Sequence, residues 1–234
     1  MSKKRVSIIQ SNYIPWKGYF DLIACSDEFI IYDDVQFTKN DWRNRNKIKT
    51  SKGLEWLSIP VGQDIDRKIK DVLLPASEWR KKHCRTLQAN YSRAEHFKEV
   101  FEMLLPLYED RSLKTLTALN KKFIEVICNY LGIKTKISYS WEYDISSEAR
   151  VDKLIELCVK AGASEYVSGP AAKAYLNEAD FQKENISVHW FNYEGYPQYR
   201  QLWGEFEHGV TILDLLFNCG QSSADLMHFK TRRG

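Results

Sequence analysis

The period of the apolar positions changes several times along the chain. Arg5–Gln10 (RVSIIQ) is a short β-branched run and predicts a first strand. Pro15 and Gly18 then mark a loop, and Tyr19–Cys25 reads as a short helix. Glu28–Val35 (EFIIYDDV) is a buried strand ending in two carboxylates. Strand, loop, short helix and strand form the opening unit of a parallel sheet. Asn46–Thr50 and Leu54–Val61, separated by Ser51–Gly53, predict a hairpin with a glycine in its turn.

The period then lengthens to that of helices. Ser77 is the expected N-cap of a stripe at Trp79, His83, Leu87 and Tyr91. Phe97, Val100, Phe101, Leu104 and Tyr108 give a second stripe. A third runs from Leu113 to Leu131 and closes at Gly132, where a C′ glycine belongs. Alternation returns at Lys134–Tyr143. A helix through Val151–Cys158 stops at Gly162, and Glu165–Ser168 is a short strand. Gly169-Pro170 predicts another helix start, with Pro where its missing N–H is harmless. Ser187–Tyr193 is a last strand and Thr211–Phe217 a last helical segment. The pattern predicts one α/β domain over 1–234, an open, mostly parallel, Rossmann-like sheet with a helical insertion over 77–131.

Composition narrows the class. The five Cys are scattered and none forms a C-x-x-C pair, which argues against a disulfide framework or zinc cluster and fits a reducing compartment. The five His show no metal-ligand spacing. No signal peptide and no apolar run of the ~20 residues that span a bilayer is visible, so a cytoplasmic location without a membrane partner is expected. The formal net charge of +3 is too small for a dedicated nucleic-acid binder. Aromatics make up 13% of the chain, and many stand beside polar residues, as in sugar or nucleotide clefts.

Four segments could carry chemistry. In open parallel sheets ligands bind beyond the carboxyl ends of strands. Gln10, Asn12, Tyr13, Trp16, Lys17 and Gly18 follow the first strand there: polar groups, rings, one cation, and a glycine that permits close backbone approach. The alternative is a Trp/Pro-rich structural loop. Asp33 and Asp34 follow the second strand and are the candidate catalytic carboxylates, as a general base or, with ATP, as holders of Mg²⁺. Gln36, Lys39, Arg43, Asn44 and Arg45 come next, with cations suited to phosphates. Substituting either aspartate by Asn is expected to affect turnover far more than stability. Ser168, Gly169 and Lys173 form a candidate anion site at a helix N-terminus, or an ordinary cap. Cys219 lies at a helix C-terminus, where a thiolate is not favoured, and reads as structural.

Taken in order, QSNYIPWKGYFDLI, SDEFIIYDDVQFTKNDWRNRNKIKT, WLSIPV, YVSGPAAKAYL and ILDLLFNCG resemble the WbqC-like family, from Val6 to Gly220. The family usually reads Gln-Pro where this chain has Gln10-Ser11, and loss of that Pro should loosen the loop. The resemblance implies a setting among bacterial surface-polysaccharide and O-antigen genes. It implies a substrate class more than a reaction: transfer of an acyl or aminoacyl group, such as glycyl, to the amine of a nucleotide-linked amino sugar. The partners would be that sugar nucleotide and an amino-acid or acyl donor, and ATP with Mg²⁺ is a conceivable cofactor. Two alternatives stay open. One is a non-catalytic sugar-nucleotide-binding accessory protein. The other is an aminoacyl-tRNA-dependent transferase contacting RNA through Lys39–Lys52 and Arg80, Lys81, Lys82 and Arg85.

Overall fold

The RVSII run becomes the central strand because both of its faces are covered. Val6 and Ile8 of β1 (Arg5–Ile9) enter one apolar layer, while Ser7 on the other face is bonded by Ser26 Oγ at 2.9 Å. The computed structural model describes residues 3–231. After β1 come α1 (Lys17–Ala24), β2 (Glu28–Ile31) and an antiparallel hairpin, β3 (Arg45–Thr50) and β4 (Gly53–Ser58). Three amphipathic helices follow, α2 (Trp79–Tyr91), α3 (Phe97–Glu109) and α4 (Leu116–Leu131). Gly132 closes α4 in the left-handed conformation, φ 73°, as its position suggested. The chain continues through β5 (Lys136–Tyr139), α5 (Arg150–Lys160), β6 (Glu165–Ser168), α6 (Glu178–Gln182), β7 (Ser187–Trp190), α7 (Ile212–Cys219) and α8 (His228–Thr231).

The main sheet has five strands in the order β5-β2-β1-β6-β7, all pairings parallel. The expected parallel pairing of β1 with β2 is present, Val6 opposite Glu28 and Ile9 opposite Ile31. Side chains of α1, α2, α3, α4 and α7 share one core cluster, and those of α5 and α6 share the other. The fold is therefore α/β with an open, Rossmann-like parallel sheet. The chain builds outward from β1 to β2 and β5, then returns to the other side of β1 for β6 and β7. That reversal leaves a crevice outside the carboxyl ends of β1 and β6.

Several boundaries differ from the sequence expectation. β2 ends at Ile31 rather than Val35, because Asp33 turns inward to bond the loop after β1. The segment after Gly169 is a five-residue 3₁₀ turn, Pro170–Ala174, rather than an α-helix, and a single short turn sums only a few peptide dipoles. The residue capping α2 is Glu78, without a side-chain bond, rather than Ser77. Among the described residues no helix is long and apolar enough to cross a membrane.

Candidate functional site

The loop after β1 is held from every side. Ser11 N–H and Oγ donate to Asp33 at 2.8 and 2.6 Å, and Thr117 Oγ1 of α4 donates to the same carboxylate at 2.7 Å. Asn120 Nδ2 donates to Ser11 Oγ at 2.9 Å. Arg43 reaches the Gln10 and Ser11 carbonyls, both at 3.2 Å, and Asn12 Oδ1. Asn46 Nδ2 bonds the Tyr13 and Ile14 carbonyls at 3.2 and 2.8 Å, and Thr211 Oγ1 bonds Ile14 O at 2.6 Å. Tyr13 N–H donates to Trp42 O, and Ile212 N–H to Pro15 O. These bonds keep Ile14 at φ 41°, a conformation costly for a β-branched residue. Ser11 ties the loop down where loss of a Pro was expected to loosen it, because Ser supplies two donors and Pro has no N–H.

The loop and its clamps enclose a pocket of about 130 Å³ lined by Asn12, Pro15, Trp16, Trp42, Asn46 and Gly209. Trp16 continues the wall, with its ring 5.3 Å from Tyr193 and 5.8 Å from Tyr196. A Cβ on Gly18 would lie 2.3 Å from the Trp16 ring. Gly18 thus makes room for Trp16 rather than for a ligand. A roomier hollow of about 400 Å³ lies beside α5 and α6, between Asp152, Glu156 and Lys183. Its charged walls lie away from the crevice of the sheet.

Beside the pocket, Lys17 and His208 adjoin Trp16 and Gly209 in the chain. Lys17 is almost fully buried, with Nζ 3.0 Å from His208 Nδ1 and 5.1–5.4 Å from the ring centres of Tyr196, Tyr199 and Phe206. Burial lowers the Lys17 pKa to about 8, against the pull of Asp214 and Asp21. Burial, and then the Lys17 charge, lower the pKa of His208. Asp214 itself accepts from Tyr91 and Tyr199 at 3.0 and 2.8 Å, and burial raises its pKa.

The other candidate residues are not all in this site. Asp33 is fully buried and its oxygens are occupied by the loop and α4, so it is a strut without access to substrate. Burial raises its pKa, partly offset by its Ser11 and Thr117 donors. Asp34 takes a bond from Ser140 Oγ instead. The two carboxylates bond different groups and do not converge as a Mg²⁺ pair. Tyr13 is a core residue whose hydroxyl meets His83 Nδ1 at 2.9 Å and Tyr108 at 2.8 Å. Its ring cannot hold a sugar. His83 Nε2 faces the Ser58 carbonyl at 3.0 Å, which requires the proton there, and burial lowers its pKa to about 4.

Ser168 is buried, 3.4 Å from the Tyr166 hydroxyl. Gly169 lies against Tyr193, whose hydroxyl would be 3.3 Å from a Cβ there. Lys173 is exposed above Trp190. Lys39 is exposed, Gln36 bridges to Lys68, and Asn44 Nδ2 bonds Ile59 O at 2.8 Å. Arg45 bonds Asn40 and stacks on Trp56. The basic groups expected to meet RNA are divided. Arg80 is buried and bonds the Leu107 and Leu113 carbonyls, and Lys49 is buried on Gln201.

Trp42 and Asn46 fall within the candidate stretch after the second strand, but the sequence alone assigns them no role, and it does not single out Tyr196, His208 or Gly209 at all. One signal was present. Residues 191–210 are an aromatic-rich stretch without helix or strand, and structureless loops of that length inside a compact domain are uncommon and are either functional or linkers.

With this geometry in place, a family profile described as "WbqC-like protein family" matches residues 10–226. The chain belongs to the WbqC-like family. It is also similar to "Uncharacterized protein Rv1507c" of Mycobacterium tuberculosis (strain ATCC 25618 / H37Rv), at 50% identity over 228 residues, 97% of this chain and 98% of that protein. No solved structure matches.

Proposed function

We propose that this WbqC-like protein transfers an acyl or aminoacyl group to the amine of a nucleotide-linked amino sugar in the cytoplasmic assembly of a bacterial surface polysaccharide. The observation carrying this reading is the Lys17–His208 pair, 3.0 Å apart, beside the Asn12–Trp16 pocket. When Lys17 is protonated it holds His208 Nδ1, and Nε2 can only donate. When Lys17 is neutral, its lone pair accepts from Nδ1–H, and Nε2 of this exposed imidazole becomes a base. A switch near pH 8 suits the deprotonation of an attacking amine. The amine nitrogen attacks the carbonyl carbon of an activated acyl ester, thioester or acyl phosphate. The new C–N bond forms, the bond to the leaving oxygen or sulfur breaks, and the electron pair departs with that atom. His208 takes the amine proton and returns it to the leaving group. Asn12 and Asn46 offer polar contacts for sugar hydroxyls, and Trp16 an apolar wall.

The test is mass analysis of nucleotide-linked amino sugars incubated with acyl-thioester, amino acid plus ATP, or charged tRNA. One acyl group should be gained on the free amine and none on an N-acetylated analogue. Nuclease treatment separates the tRNA donor from the others. A protein that binds these sugars yet changes no mass in any arm would be an accessory protein, a reading favoured by the burial of Asp33.

A further inference from the structure

The outer face of the hairpin carries an aromatic and cationic cluster that the transfer chemistry does not use. Trp42 and Trp56 are 40% and 44% exposed, and their ring centres are 5.3 Å apart. The two neighbouring indoles keep ring surface in water, and aromatic faces of this kind are suited to stacking. Lys47 lies directly opposite Trp56 in the β3–β4 register, with Nζ 5.3 Å from its ring centre. Arg45 stacks its guanidinium 4.0 Å from the same ring. Its Nε is a buried donor with no acceptor among the described residues. Trp42 also lines the Asn12 pocket, and its carbonyl is fixed by Tyr13 N–H at 3.0 Å. The platform and the pocket are therefore continuous.

We infer that this cluster is the binding site for the nucleoside diphosphate part of the substrate. The base stacks on Trp42, Arg45 and Lys47 take the diphosphate, and the sugar is directed into the Asn12–Trp16 pocket. Rings present a π-face that every base can use, and a guanidinium offers paired donors to phosphate oxygens. The inference takes from the proposed reaction only that the acceptor carries a nucleotide. Single-stranded RNA uses the same chemistry, but its backbone needs a long basic groove. Here Lys49, next along the strand face, is turned inward onto Gln201.

Titration of the whole protein with UDP, CDP, ADP and GDP, followed by tryptophan fluorescence and calorimetry, tests the site. At least one diphosphate should bind. Trp42→Ala should weaken it and its free nucleoside about tenfold while leaving inorganic pyrophosphate unchanged. Arg45→Met should weaken the diphosphate and pyrophosphate and spare the nucleoside. Trp42→Phe should restore most of the affinity, which separates stacking from a folding defect. Failure of all four diphosphates to bind at millimolar concentration would overturn the inference, as would unchanged binding in Trp42→Ala. Tighter binding of a ten-nucleotide RNA than of any diphosphate, lost in Trp56→Ala, would also overturn it in favour of an RNA surface. Diphosphate binding that depends on Trp42, without turnover on any sugar, keeps this site and defeats the transfer reaction. Turnover with unchanged KM in Trp42→Ala does the reverse.

Discussion

At the scale of single residues, the position of a carboxylate decides what it can do. Asp33 accepts three hydrogen bonds in a fully buried place. An amide there would turn a donor toward groups that are themselves donors. Asp33→Asn should cost about 1–3 kcal/mol of stability, measured by urea denaturation, in contrast with the small change expected of a solvated strand end. Unchanged stability would mean that the loop does not depend on this strut. Lys17 gives a second prediction. Because its pKa is depressed to about 8, the neutral form that frees His208 Nε2 appears as pH rises. Under the proposed reaction kcat/KM should climb through about pH 8, and Lys17→Met should abolish that step. The same depression means that the unfolded chain binds the extra proton between about pH 8 and 10.5, so this burial lowers stability below pH 8 and the loss is recovered as pH rises through that window. A wild-type profile without an inflection there would remove Lys17 from the mechanism.

At the scale of elements, the hairpin and the loop after β1 act as one unit. Asn46 joins them through two carbonyl bonds, one of which helps to hold Ile14 at φ 41°. Asn46→Ala should take the amide donor from both carbonyls, leaving Ile14 O with Thr211 Oγ1, lower stability by about 1–3 kcal/mol and let residues 12–16 relax. Hydrogen exchange should speed at Tyr13 and Trp16 while the amides of α4 stay protected. Equal acceleration in both places would show a general loss of stability instead of local loosening.

At the scale of the whole molecule, the C-terminal segment braces the wall of the pocket. Asp21 of α1 is buried and accepts from His228 N–H at 3.1 Å and Phe229 N–H at 2.8 Å. Tyr196, which packs on Trp16, stacks on His228 with ring centres 4.0 Å apart. Removing residues 228–234 should cost about 3 kcal/mol, from the loss of Phe229 and of two donors to a buried carboxylate. Among the described residues, removing only 230–234 sacrifices an exposed Lys230–Asp225 ion pair, and it should change the urea midpoint little. Equal effects of the two truncations would place the bracing elsewhere.

Local pattern made the framework legible. The β-branched run at Arg5–Gln10, the three helical stripes ending at Gly132 and the Gly turn of the hairpin depend on residues within about four positions of one another, so each could be read without knowing the rest. The parallel order of the first two strands followed from the helix between them. The ordered polar segments were sufficient for the family resemblance. Tertiary structure alone decided which polar residues are buried and which are left open. Adjacent Asp33 and Asp34 look equivalent in sequence, yet Ser11 and Thr117, 22 and 84 positions away, take one into the core. Lys17 pairs with His208 across 191 positions, and Trp42 meets Trp56 only because the hairpin folds back. Burial and hydrogen-bond partners are properties of three-dimensional neighbours, and they, more than residue type, set whether a carboxylate, a lysine or a ring is structural or free to act.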